Sequence, residues 1–265
     1  MSSAASQTDF GASPTERSKG QEKVRIAVVN PNIAKASTES FVALAERSAS
    51  PGTEIIGATG RFGVDLMRRP AELAIGVHAM LDAAAAIDPP PDAIVIAAFG
   101  DYGADAAADL FGCPVMTLAD AAFASLRLSR ARYAMLLPAP GFADLMRPLP
   151  ARHGATDGMA GMREVAAAPG STDYADAAEA ALGRLIAESD PGTVLLVGPP
   201  LAACAERLRA STSVPLVEGV GCAVALCEAL LRLGITGRPE APGGKAPHSM
   251  GLSAPLAALL ERRTS

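Results

Sequence analysis

Four cysteines, three histidines and a few loop-borne Asn, Ser, Thr and Asp residues are the groups in this chain suited to holding a polar ligand or moving a proton near neutral pH. Cys222 stands in the run EGVGCAV, just past a short apolar segment and where a long Ala-rich helix should begin. A thiol at a helix N-terminus ionises below the free value of about 8.5, because the positive end of the helix dipole favours the thiolate. The same thiol packed between strand and helix would be an inert small hydrophobe, and both readings stand at this level. Cys113, which precedes Pro114, and Cys204 and Cys227, which fall in helical patterns, read as core. There is no CxxC pair and no ligand spacing between the cysteines and His78, His153 or His248, so no metal site is expected. Asp101, in a Gly-rich loop, is placed to act as a base, to orient one, or simply to cap a helix starting near residue 104.

A second constellation is polar and uncharged. The run VRIAVV (24–29) reads as a strand that breaks at Asn30-Pro31-Asn32, and Ser37 and Thr38 follow before a helix expected from Glu39. A strand running into a polar turn and a helix start directs free backbone N–H groups and the positive dipole end at one point, which suits an anion, a carboxylate or an imide. Asn30, Asn32, Ser37 and Thr38 are therefore candidate ligand-binding residues. The plainer alternative is a tight turn with Ser37 or Thr38 as a helix cap. Arg61, after the next strand, is either a carboxylate clamp or a surface charge. His78 lies on a mostly apolar helix pattern and reads as a packing residue.

The elements that hold these residues follow a doubled order. Residues 92–126 and 193–230 each run from a short β-branched strand through a small-residue loop and an Ala-rich helix to a second strand, opened by CPV or VPL, and another Ala-rich helix. Further strands are expected at 54–57, 133–137 and near 162–165, with helices at 71–87 and 175–188. The first of these helices ends before Pro89-Pro90-Pro91, which no helix continues through. Two matching units of this kind imply two α/β half-domains whose strand-end loops face one shared cleft. Residues 1–22 form a polar tail with too little apolar content to offset its ordering entropy. The first half-domain takes 22–125 with 219–235 packing back on it, the second 126–218, and 236–265 form a C-terminal tail with a short helix near 253–262.

With 49% hydrophobic residues in 265, the chain can bury a large core of Ala, Val, Leu and Ile. Its net charge of −5, with scattered basic residues, excludes an electrostatic footprint for nucleic acid. No apolar run reaches the roughly 18 residues of a membrane span, and the N-terminus lacks a secretory pattern, so a cytoplasmic protein acting on a small molecule is expected. A homo-oligomer is compatible with this composition.

The strand-one signature VVNPN followed by Ser-Thr, the segments ATGRFGVDLMRRPAELAIGVHAMLDA and VIAAFGDYG, the pair VPLVEGV and the tail KAPHSMGLS together resemble the aspartate/glutamate/hydantoin racemase superfamily, in particular its hydantoin racemase-like branch, over about residues 22–260. The resemblance implies two flavodoxin-like half-domains related by a pseudo-two-fold, each with a mainly parallel four-stranded sheet, around a cofactor-free site in which Gly100 joins the binding residues. It also implies two cysteines on opposite walls, one thiolate removing the α-proton and one thiol returning a proton to the other face, since inversion needs a base and an acid on opposite faces. This chain departs at both. The motif like ACFGD has Ala98 in place of the cysteine, and the motif like GCAGM has Pro199. Three readings follow: a racemase or epimerase of a hydantoin-like or amino-acid-derived molecule with a changed acid/base pair, for which Cys222 and Asp101 are the catalytic candidates; a lyase or isomerase, such as a decarboxylase, needing at most one cysteine; or a non-catalytic ligand-binding homologue.

Overall fold

A computed structural model describes residues 23–100, 102–237 and 248–262. Eight strands form two sheets, and every pairing is parallel. The first sheet has the order β2 (Thr53–Thr59), β1 (Val24–Asn30), β3 (Ala93–Ile96), β4 (Val115–Thr117). The second repeats it as β6 (Met159–Glu164), β5 (Tyr133–Leu137), β7 (Thr193–Leu196), β8 (Leu216–Glu218). Strands β3, β5 and β7 are buried at every residue, which explains why their sequences are continuous apolar runs rather than alternating ones. The expected α/β architecture of two four-stranded half-domains is what the chain adopts.

Helices α1 (Lys35–Ser48) and α2 (Pro70–Ala85) flank the first sheet, and α3 (Ala104–Phe111) and α4 (Leu118–Ser129) precede and follow β4. In the second half, two single-turn helices, α5 (Ala143–Met146) and α6 (Leu149–Arg152), stand where α1 stands in the first. They are followed by α7 (Tyr174–Ser189), the short pair α8 (Pro199–Ala203) and α9 (Ala205–Ala210), and α10 (Gly219–Arg232). The prolines at 138, 140, 148 and 150 and Gly141 prevent one long helix after β5. The last helix, α11 (Ala254–Arg262), packs on α2 and α3. Asp82, only 4% exposed, ties this end of the chain down, because its carboxylate takes hydrogen bonds from Arg61 Nε at 2.8 Å and from the Ser253 hydroxyl. Arg61 is thus committed to Asp82 and is not a ligand clamp.

The helices α4 and α10 exchange sheets. Although α10 follows β8 of the second sheet, its Val220, Ala223, Val224 and Cys227 pack on Ile26, Val28 and Val95 of the first. Helix α4 follows β4 of the first sheet, yet its Ala119, Ala122, Phe123 and Leu126 pack on Tyr133, Met135, Leu137 and Leu195 of the second. Its other face, through Leu118 and Ala121, joins the cluster around α10, so the boundary expected at residues 125 and 126 falls inside a helix shared by both halves. The N-terminal tail expected at 1–22, and residues 238–247 and 263–265 of the expected C-terminal tail, lie outside the described residues.

The two helices meet at their first residues. A Cβ on Gly219 would come within 2.8 Å of Leu118 Cβ, 2.9 Å of the Leu118 carbonyl oxygen and 3.0 Å of Phe99. Gly219→Ala must therefore push α10 away from α4, and we expect a loss of about 1–3 kcal/mol in urea unfolding. Gly183→Ala, at a helical position with nothing within 4 Å, serves as the control and should be neutral or slightly stabilising.

Candidate active site

The carboxyl ends of the central strands open into one cleft of about 720 Å³. Asn32 and Ser37 enter it from the loop after β1 and the start of α1, and Ala97, Ala98, Phe99 and Gly100 from the loop after β3. The second half contributes Pro138 and Ala139 after β5 and Val197, Gly198, Pro199 and Pro200 after β7. Open parallel sheets place ligands at this end because the strand-end loops converge there. The walls are largely apolar, with Phe41, Leu66, Leu73, Tyr102, Phe142 and Leu145 among them, and charge among the described residues is confined to Asp65, Arg68, Asp144 and Arg152, all exposed.

The loop after β1 is built by its two asparagines. Asn30 Oδ1 accepts from the Asn32 N–H at 3.2 Å, and Asn32 Oδ1 accepts from the Ala34 N–H at 2.9 Å, so the side chains replace the backbone partners the turn lacks. Asn30 is fully buried, and its Nδ2 donates to the Ala34 carbonyl and to Thr38 Oγ1, both at 3.1 Å. Thr38 Oγ1 in turn sits 2.8 Å from Thr59 Oγ1. Asn30 and Thr38 are therefore consumed inside the loop and do not line the cleft, contrary to the sequence expectation. The helix also starts earlier than expected, at Lys35 with Ala34 as its N-cap, so neither Ser37 nor Thr38 caps it. Asn32 and Ser37 do line the cleft, and neither Asn32 Nδ2 nor Ser37 Oγ has a hydrogen-bond partner among the described residues.

Gly100 lies on the cleft as expected, with φ of 141°, a conformation that L side chains rarely adopt. A Cβ there would come within 2.8 Å of the Tyr102 ring, so the loop after β3 is wrapped around that ring. Asp101 lies outside the described residues. The residue that N-caps α3 is Gly103, with no side-chain cap.

Cys222 is not on the cleft. It is the fourth residue of α10 and packs on the cluster formed by α1, α4, α10 and the first sheet. The helix start already has its anion: Glu218 accepts from the Val220 N–H at 2.7 Å and the Gly221 N–H at 2.8 Å. Burial pushes the Cys222 thiol above the ordinary range, outweighing a hydrogen bond with Ser125, and the neighbouring Glu218 carboxylate adds to the rise. Burial likewise raises Cys113 and Cys227 to about 12, and Cys204, at the junction of α8 and α9, is raised for the same reason. Of the two readings of Cys222, the packing therefore favours the inert buried thiol over the activated thiolate, because the dipole acts on a group that Glu218 screens and the core desolvates. Ala98 and Pro199, at the positions of the two family cysteines, both line the cleft, which contains no thiol and no histidine among the described residues. No group of three His, Cys, Asp or Glu side chains among the described residues is placed to hold a metal ion.

Brief iodoacetamide treatment near neutral pH should therefore label Cys222 more slowly than a free peptide thiol, with the rate rising at higher pH than for that thiol. Mass spectrometry of the tryptic peptides gives the rates. Fast labelling confined to Cys222 would restore the thiolate reading.

The family model described as Asp/Glu/Hydantoin racemase matches residues 26–227, which span both sheets and the loops of the cleft. The hydantoin racemase of Paenarthrobacter aurescens is 27% identical over 220 residues, 80% of this chain and 92% of that protein. The structure of an allantoin racemase from Klebsiella pneumoniae superposes with a TM-score of 0.76 at 28% identity, over 89% of this chain and 99% of its own. An allantoin racemase from Pseudomonas fluorescens does so with a TM-score of 0.72 at 29% identity, over 81% and 93%. The doubled sheets, the shared cleft and a match over most of its length place the chain in the Asp/Glu/hydantoin racemase family.

Proposed function

We propose that the protein is a cofactor-independent isomerase-type member of this family, acting on a hydantoin-like small molecule with an acid/base pair other than two thiols. The observation that carries the reading is the cleft itself: Asn32 and Ser37 present free polar groups over otherwise apolar walls, as a compact ring of amide and imide groups would require. An apolar site with few, directed polar groups is the usual design for small-molecule recognition. Hydantoin and allantoin, named for the related enzymes, share the cyclic ureide ring. The reading includes a cytoplasmic location and is compatible with a homo-oligomer, and Asp101 is the carboxylate it nominates as base.

A second reading is favoured by Ala98 and Pro199. Inversion at carbon needs proton transfer on two opposite faces, and neither of these side chains carries a transferable proton. A one-sided acid/base reaction of the lyase type, or ligand binding without turnover, would need less of the cleft.

The deciding experiment incubates the protein with optically pure hydantoins in D2O, against a protein-free control, and follows optical rotation and α-deuterium together. Racemisation predicts loss of rotation with deuterium incorporation. Exchange without loss of rotation would move the protein to one-sided chemistry, and neither change would leave lyase chemistry or binding alone. Independently, Asn32→Ala should weaken hydantoin binding by about 1–3 kcal/mol in calorimetric titration, the usual cost of an unpaired buried polar partner. An unchanged affinity would remove Asn32 from the site.

A further inference from the structure

The chain has three tyrosines, and they are not equivalent. Tyr133 donates its hydroxyl to the Ala155 carbonyl at 3.0 Å, and Tyr174 donates to the Pro138 carbonyl at 2.9 Å. A buried phenol normally finds such a partner. Tyr102 is only 9% exposed, yet its hydroxyl has no hydrogen-bond partner among the described residues. Nor is that oxygen sealed in, because Arg163 Nε is the one side-chain polar atom among the described residues that is both enclosed and unpartnered, and Tyr102 is a residue that lines the cleft.

The surroundings hold the ring in that orientation. Its body packs in the cluster with Met67, Met80, Ile96 and Ala107 beneath the first sheet. Gly100, at φ of 141°, leaves room for the ring edge against the loop backbone. The residue lies four positions after Ala98, in the same loop as the first missing thiol.

We propose that Tyr102 contacts the ligand, donating a hydrogen bond from its phenol to a carbonyl oxygen of a bound cyclic ureide or imide. Burial raises its titration above the ordinary range, so the group is a neutral donor and not a phenolate base at physiological pH. Such a donor fits a carbonyl better than a carboxylate edge lined by cations would, and it is most useful where the carbonyl oxygen gains negative charge. When a base removes the proton from the adjacent carbon, the C–H electron pair moves into the ring and the charge collects on that oxygen. A donor aimed at it there stabilises the enolate more than the starting imide. The inference rests on the reading of the cleft as a hydantoin-type site.

The test compares wild type, Tyr102→Phe and Tyr133→Phe, with hydantoin and succinimide as probes, by calorimetry and by tyrosine ultraviolet difference spectra. The chain has no Trp to mask the signal. Wild type should bind and show a phenol difference spectrum. Tyr102→Phe should keep its unfolding temperature but bind about tenfold more weakly, the loss of one buried hydrogen bond, and lose the difference spectrum. Tyr133→Phe should keep both. If wild type binds either probe and Tyr102→Phe binds equally well, the role of Tyr102 is overturned while the hydantoin reading survives. If wild type binds neither probe, both fall together.

Discussion

The structure depends on the meeting of two helix N-termini, those of α4 and α10, at the junction of the two sheets. Each sheet is parallel and buried on its central strands, so each must be covered on both faces, and each recruits a covering helix from the other half. The exchange brings the first residue of α4, Leu118, against the first residue of α10, Gly219, at a distance only glycine tolerates. Two positive helix ends would repel there. Each is answered by its own carboxylate: Asp120 accepts from the Thr117 N–H and hydroxyl, both at 2.8 Å, and Glu218 accepts from Val220 and Gly221. Glu218 holds this position at a cost, since burial raises its pKa against those two backbone bonds.

The cleft inherits its shape from that junction. The Leu118 N–H donates to the Ala98 carbonyl at 3.2 Å, so the start of α4 anchors the loop after β3. Leu118 and Phe99, which meet α10, also line the cleft. At the two positions that the family resemblance gives to cysteines, the cleft supplies no proton carrier. The loops that reach the cleft from β3 and β7 hold Ala98 and Pro199, and the loop after β5 is Pro138-Ala139-Pro140-Gly141, with no side-chain donor. Among the described residues, the unpartnered polar groups of the cleft's loops therefore lie on the first half: Asn32 and Ser37 after β1, and Tyr102 after β3. In a cavity walled by Phe41, Phe142 and Leu145, each such hydrogen bond counts for more than it would in water.

The order of strands along the chain and the doubled pattern were legible in the sequence, because buried parallel strands are written as apolar runs and Pro and Gly mark the breaks between them. Helix starts were less legible. Ser37 and Thr38 look like caps, but the Thr38 hydroxyl is drawn into the helix face by Asn30 and by Thr59, 21 residues further on. Asn32, which looks like a turn residue, closes the loop with its oxygen and leaves its amide nitrogen to the cleft.

The sequence by itself determined that the two positions the family resemblance gives to cysteines hold alanine at 98 and proline at 199, which carry no titratable proton in any fold. It also determined the class of fold, because hydrophobic periodicity and loop chemistry are local. Only the tertiary structure decided which polar groups are spent and which are free. Arg61 is spent on Asp82, Asn30 and Thr38 on each other, and the start of α10 on Glu218, while the Tyr102 hydroxyl has no partner among the described residues. The reason is that a side chain's availability depends on which distant groups complete its hydrogen bonds and how much water they leave. That is set by packing, and no local pattern of residues encodes it.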